Sequence, residues 1–402
     1  MARAGWVKPE SDRRLSDLVS VGLLTRVFPP GVVDEVIAEC GRTEQRSRSL
    51  PARTMAYFAV GLALHADGSY EDVMALMTDG LSWVEGDVPT KLPSKSGIFQ
   101  ARERLGFEPV ELLFGRVARP LAKSGSLGCW LAGRRLVAID GTTLDVADTD
   151  VNNEFFGRPG VNKGERSAFP QARVVAVGEC GTRAIIDAEV GGYSTGENTL
   201  AAALCDRLEA GMLVLADRGF CGYPLWAKAQ ATGADLLWRA KSDMKPRHVE
   251  TLADGTWLAE LRPGGNPGRT AEALTIRVIE YTIDDGRAND TTYRLFTTIL
   301  DPHDASAVEL AAAYAQRWEI ETSFAELKTH QRGSHVVLRS KSPALVLQEI
   351  WGHLCCHYAI RTLMFEAADT AKIDTDRVSF TAALRLARRS ISQARDFPPS
   401  AP

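Results

Sequence analysis

The chain has 402 residues, is 45% hydrophobic and carries a formal net charge of −4, enough apolar material for two or three packed domains and too little positive charge to coat nucleic acid by charge alone. No apolar run approaches the ~18 residues of a membrane span, and the N-terminus lacks the apolar core of a signal peptide, so a cytoplasmic protein is expected. Seven scattered cysteines without a C-x-x-C pair argue for reduced thiols rather than structural zinc or a disulfide framework.

Residues 1 to about 130 read as helical, with apolar groups at helical spacing over 16–27, 30–40, 52–65, 70–76 and 108–122. Between the last two, Ser94 or Ser96 can cap a short helix that carries Lys95, Arg102 and Arg104. That helix is a candidate DNA contact of the helix-turn-helix type. From about 131 the pattern turns to strands. An apolar run over 136–139 closes on Asp140-Gly141, a hairpin over 173–190 turns at Cys180-Gly181-Thr182, and a helix follows over 199–210. A second apolar run, 212–216, closes on Asp217-Arg218-Gly219, and a helix over 223–232 and a strand over 235–240 come next. Residues 246 to 300 form a further strand-rich block, with strands over 257–261, 274–283 and 292–300 and a loop at Gly264–Gly268.

The last third is helical. An apolar helix over 343–365 carries His353 and His357, which read as core histidines rather than metal ligands. The tail beyond about 368 is weakly patterned but basic, with Arg385, Arg388, Arg389 and Arg395. Two other basic groups are Arg158, Lys163, Arg166 and Arg173, and Arg239, Lys241, Lys245 and Arg247.

Tyr314 to Lys328 is the segment with most chemical content. Read as one helix at ~100° per residue, it puts Tyr314, Arg317, Glu321 and Lys328 within a ~60° arc. Ala313, Ile320, Phe324 and Leu327 form the adjoining apolar stripe. A carboxylate flanked by cations at the border of a packed face suits a site that handles phosphate beside a metal. Asp140 and Asp217, each just past the end of a buried strand, are where open α/β sheets present functional groups. With Glu321 they make a set of three carboxylates. Such a set, with no supporting His or Cys, favours Mg²⁺ or Mn²⁺ over zinc. Two such ions can activate a water or a sugar 3′-hydroxyl and stabilise the departing oxygen of a phosphodiester.

The spacing Y-x2-R-x3-E-x6-K, filled here by Tyr314, Arg317, Glu321 and Lys328 with Trp318 and Ile320 also in place, resembles the signature of DDE transposases of the insertion-sequence-four family. Ile139-Asp140-Gly141-Thr142 and Ala216-Asp217-Arg218-Gly219-Phe220 resemble that family's first and second acidic motifs. The resemblance covers about 131 to 365. It implies an α/β, RNase H-like catalytic domain over 131–367, with a β-rich insertion at about 246–300. A helical accessory, DNA-binding domain over 1–130 and a basic tail over 368–402 complete the expected organisation.

By resemblance, Asp140, Asp217 and Glu321 are both catalytic groups and metal ligands, with Asp140 shared between two ions. Arg317 and Lys328 would hold phosphates or offset developing charge, and Tyr314 would contact the backbone near a terminal nucleotide. Where the family usually stacks a displaced base on a tryptophan of the insertion, this chain has Tyr293, with Trp257 as a second candidate. Arg239, Lys241, Lys95, Arg102 and Arg104 complete the expected DNA contacts. The implied activity is metal-dependent cleavage at inverted-repeat ends and transfer to target DNA by a cut-and-paste route, carried out by a homodimer on double-stranded DNA in the bacterial cytosol. An inactive transposase-derived DNA-binding protein and an RNase H-like nuclease without strand transfer are the alternatives.

Overall fold

Strand β2 is the axis of an eleven-stranded sheet among the residues described by the computed structural model, namely 22–46, 50–75, 93–160, 167–263, 272–283, 291–333 and 337–389. In chain order the strands are β1 (Trp130–Leu131), β2 (Arg134–Val146), β3 (Gln171–Glu179), β4 (Ile185–Gly192), β5 (Met212–Ala216), β6 (Asp235–Arg239), β7 (Arg247–Thr251), β8 (Trp257–Leu261), β9 (Leu274–Ile283), β10 (Thr291–Thr297) and β11 (Val337–Leu338). Leu136 to Ile139 of β2 and all of β5 are buried, as expected of short apolar runs covered on both faces.

The sheet order is β4-β3-β2-β5-β6-β10-β9-β8-β7. Strand β5 runs parallel to both β2 and β6. A β2-β3-β4 run extended on the β2 side by two parallel strands is the RNase H-like order. The strand-rich block does not form a sheet of its own. Antiparallel pairing of β10 with β6 carries β10, β9, β8 and β7 on as a continuation of the core sheet.

The helices are α1 (Pro30–Glu39), α2 (Ala52–Leu64), α3 (Lys95–Leu105), α4 (Glu108–Val117), α5 (Asp150–Phe156), α6 (Glu197–Cys205), α7 (Tyr223–Gln230), α8 (Ala307–Ala315), α9 (Trp318–Ala325), α10 (Pro343–Ala371) and α11 (Phe380–Arg389), with a π-helical turn at Glu326–Gln331. Ser94 caps α3 by accepting the Gly97 N–H, and Ser306 and Glu309 form a reciprocal capping box on α8.

Contacts group the chain into two units: Met1–Arg119, Leu144–Ala172 and Ala325–Pro402 in one, Pro120–Thr143 and Arg173–Phe324 in the other. The first is helical and centred on α10, which is buried on nearly every face, as a helix apolar all round must be. Its Gly352 sits against α2, where a Cβ would come within 2.4 Å of the Ala59 carbonyl oxygen. Both α10 histidines are buried there: Gln331 Nε2 is 3.1 Å from His353 Nδ1, and His357 Nε2 is 3.2 Å from Glu326 Oε2.

The described part of the tail, 368–389, is more helical than its pattern suggests. Helix α10 continues to Ala371, and α11 follows with Phe380, Leu384 and Ala387 buried. Residues 16–21 of the first expected helix, the Gly264–Gly268 loop, Lys163, Arg166 and Arg395 lie outside the described residues.

Candidate active site

The register of β2 on β5 pairs Ile139 with Ala216 as the last partners, which brings Asp140 and Asp217 next to each other just past the paired segment. Neighbouring strands lie ~4.8 Å apart. Each carboxylate is held by a local amide: the Gly141 N–H donates to Asp140 Oδ1 at 2.8 Å, and the Gly219 N–H to Asp217 Oδ1 at 2.5 Å. Asp140 Oδ1 is thereby engaged, and Oδ2 is left for the helix that follows the sheet.

That helix is α9. Its Glu321 and the preceding Arg317 form an i, i+4 ion pair, Nη1 to Oε1 2.9 Å, and the same nitrogen lies 3.4 Å from Asp140 Oδ2. One buried guanidinium thus bridges the first and third acids. Burial raises the Asp140 pKa to about 6, and the nearby charges of Glu321 and Asp217 push it further that way. The Gly141 amide and Arg317 pull against them. Both other acids therefore act electrostatically on Asp140.

Tyr314 and Arg317 do not share a straight α-helix with Lys328. Helix α8 ends at Ala315, and the junction is drawn tight by bonds to the third residue back: Gln316 N to Ala313 O, Arg317 N to Tyr314 O and Glu319 N to Gln316 O. The chain then widens into the π-helical turn that carries Lys328. The bonds to the third residue back run on through Ile320 N to Arg317 O, so a constant ~100° per residue does not hold across the signature. Lys328 belongs to the helical unit, where burial and Arg332 lower its pKa against the pull of Asp145.

Tyr314 is 5% exposed, and burial foremost raises its pKa, with Arg317, Asp217 and Arg239 all within electrostatic reach. Arg239 ends β6 and stands over the Tyr293 ring at 4.2 Å, while Tyr281 stacks on that ring from β9 at 5.4 Å. Because β10 lies between β6 and β9, these contacts come from opposite sides. Tyr293 is half-buried between these two neighbours. Trp257 is half-buried on β8, opposite Thr251 and Val278. Lys241 is half-buried just beyond β6.

Lys95 and Arg104 are exposed on α3, but Arg102 is not a free cation. It is 1% exposed and donates to Gln348 Oε1, the Tyr70 hydroxyl, Ser340 Oγ and the Leu345 carbonyl, all within the helical unit. A side chain so enclosed has no surface to give to a phosphate, and its role is to brace the unit. Other basic side chains are similarly engaged. Arg158 pairs with Asp148, Arg173 donates to the Thr195 carbonyl, and Arg388 to the carbonyls of Leu64 and Gln331.

Two known protein families match this chain. Residues 131–359 match the transposase DDE domain family, and residues 18–115 match the insertion element 4 transposase N-terminal family. The chain belongs to the DDE transposases. This transposase is 28% identical over 345 residues to the transposase InsG for insertion sequence element IS4 of Escherichia coli (strain K12), covering 85% of the chain and 76% of the relative. It is 27% identical over 228 residues to the putative transposase InsZ of the same strain, covering 57% and 74%. A piggyBac transposase synaptic complex with hairpin DNA superposes with a TM-score of 0.48 at 12% identity, over 95% of this chain and 82% of that one.

The protein is an insertion-sequence transposase of the IS4 family, a polynucleotidyl transferase by class. The DDE domain implies dependence on a divalent metal. Three carboxylates without a softer donor, one of them raised to about 6 by burial and neighbouring negative charge, suit a hard cation. Among the described residues no three His, Cys, Asp or Glu side chains are disposed to hold an ion as they stand, and Arg317 supplies the positive charge between Asp140 and Glu321. Among the described residues, no helix is long and apolar enough to cross a membrane.

Four further residues escaped the sequence reading: Glu179, Arg183, Glu319 and Ser323. Their one signal was an acid and a serine at the edge of the α9 apolar stripe.

Proposed function

We propose that Asp140, Asp217 and Glu321 are the catalytic carboxylates of this transposase and hold two Mg²⁺ or Mn²⁺ ions. The observation that carries this reading is the convergence of the acids: adjacent strand ends for Asp140 and Asp217, and one Arg317 nitrogen shared by Asp140 and Glu321. When bound, the ions would activate the attacking oxygen and stabilise the leaving one.

The residues of the chain supply placement and charge. Asp140, raised to about 6, would hold an ion as the carboxylate, so any proton it carries at mildly acid pH would be lost. With an ion held by Asp140 and Glu321, Arg317 would be available to offset charge on a phosphate. Tyr314 and Arg239 stand on the Asp217 side, where the DNA backbone would pass. Lys328 is a further phosphate contact, and Lys95, Arg104, Lys241 and Trp257 are further DNA contacts. The chain binds the inverted-repeat ends of its element as a homodimer in the bacterial cytosol, cuts them to free 3′-hydroxyls, and joins these to target DNA by cut-and-paste.

Purified protein incubated in Mg²⁺ with DNA spanning its own gene and a few hundred flanking base pairs tests this. Paired 3′ ends at inverted repeats bounding the gene are expected. Cuts without end-joining would favour a nuclease, and specific binding without cuts would favour an inactive DNA-binding protein.

A further inference from the structure

The turn between β3 and β4 is tied to the glutamate helix by contacts that lie outside every acidic motif. The Gly181 N–H donates to Glu319 Oε2 at 2.5 Å, and Arg183 Nε lies 3.9 Å from the same oxygen. One helical turn on, Ser323 Oγ donates to the Arg183 carbonyl at 2.9 Å. Glu319 is 9% exposed and Ser323 is fully buried. Arg183 holds a left-handed φ of 56°, an arrangement that costs a non-glycine residue about 1 kcal/mol and persists only where its surroundings enforce it. Between the two contacts Ile320 packs on Gly178, where a Cβ would sit 3.3 Å from Ile320 Cγ1.

The turn is itself braced. Buried Glu179 accepts the N–H groups of Leu121 and Ala122 and the Thr182 hydroxyl, and pairs with Arg135 of β2. Strand β2 carries Asp140, so the bracing links the first acid to the helix of the third.

Two anchors four residues apart fix the rotation of α9 about its axis as well as its distance from the sheet. Glu321 stands roughly 200° around the helix from Glu319. A carboxylate at the outer radius of a helix moves by about 1 Å for each 10° of rotation. Errors of that size at a reacting centre cost about 10²-fold in rate.

We propose that Glu319 is a positioning residue: through Gly181 and Arg183 it sets the rotation of α9 and holds Glu321 within reach of Asp140. This rests on the reading of the three acids as the catalytic centre. The test compares the full chain with Glu319→Ala, Glu319→Gln and Ser323→Ala. Three quantities are measured: Mn²⁺ binding by electron paramagnetic resonance, Mg²⁺-dependent cutting of the gene with its flanks, and amide exchange over Trp318–Ala325.

Glu319→Ala is expected to weaken Mn²⁺ binding and slow cutting by about tenfold or more, with faster exchange in α9 and unchanged DNA affinity. Glu319→Gln, whose amide oxygen still accepts the Gly181 N–H, should recover most of each loss, and Ser323→Ala should fall between. Glu319→Ala indistinguishable from wild type, or Glu319→Gln no better than Glu319→Ala, would overturn the proposal. If Glu319→Ala fails to fold, Ser323→Ala decides, and wild-type behaviour in it overturns the proposal. If wild type itself neither binds Mn²⁺ nor cuts, the catalytic reading fails, and exchange in α9 alone judges the clamp.

Discussion

Arg317 Nη1 lies 3.4 Å from Asp140 Oδ2, although 177 positions separate the two in sequence. The contact joins the central strand to the glutamate helix, and because that nitrogen also holds Glu321 it sets the spacing of two of the three acids. Replacing Arg317 with alanine should leave two carboxylates facing each other without a cation. Cutting should fall by about 10²-fold in single-turnover assays. Lysine should restore only part of this, because its ammonium is a strongly hydrated point charge on a flexible stem and is not held in place as the rigid, planar guanidinium is.

Metal binding should release a proton at mildly acid pH. Burial and the charges of Glu321 and Asp217 raise Asp140 to about 6, so in the metal-free protein it is half-protonated there and ionised at pH 8. Titration with Mn²⁺ in buffers of different ionisation enthalpy should show about half a proton released at pH 6 and none at pH 8. Asp140→Asn should abolish the difference, and equal proton release at both pH values would contradict it.

The helical unit should lose stability in acid before its carboxylates titrate. Burial first, then the charges of Arg332 and Arg339, lower His353 to about 3, and burial lowers His65 to about 4. Both folded values lie below the unfolded value, so the associated stability is complete above ~6.5 and is lost as pH falls below it. For His353 alone the loss by pH 5 is about 2 kcal/mol. Urea unfolding at pH 7.5 and pH 5 should show it, and His353→Asn should shrink the drop.

Arg102 and Arg104, two positions apart on α3, should behave in opposite ways. Arg102→Ala strands Gln348, Tyr70 and a buried carbonyl, and should cost about 3 kcal/mol or more of unfolding free energy. Arg104→Ala is at an exposed position and should change stability by no more than about 0.5 kcal/mol.

The contrast between those two residues marks what could be read from the sequence and what could not. Apolar runs ending in Asp140 and Asp217 identified two buried strands, because a strand covered on both faces has no alternation to mislead; that they run parallel came from the structure. The bounds of β9 were likewise legible from its β-branched run, and those of β8 from a short apolar stretch beginning at Trp257. Burial of a cation was not legible: Arg102 sits on a short capped helix whose pattern is that of any solvated face, and its partners lie about 240 residues away. Nor was the break at Gln316–Arg317 visible, since no glycine or proline marks it and tertiary contacts impose the tightened turn. The continuation of the insertion from the core sheet depends on the β10–β6 pairing, a long-range register that strand propensity does not encode. The tail helix α11 was legible but went unread: Phe380, Ala383, Leu384 and Ala387 recur at helical spacing and are its buried face.

The central claim is that Asp140, Asp217 and Glu321 do the chemistry. The direct measurement is Mg²⁺-dependent cutting of DNA carrying the gene and its flanks by wild type, Asp140→Ala, Asp217→Ala and Glu321→Ala, with DNA binding followed in parallel. Each variant should bind as wild type does and cut at least about 10³-fold more slowly. A variant of any of the three that cuts at the wild-type rate would contradict the assignment.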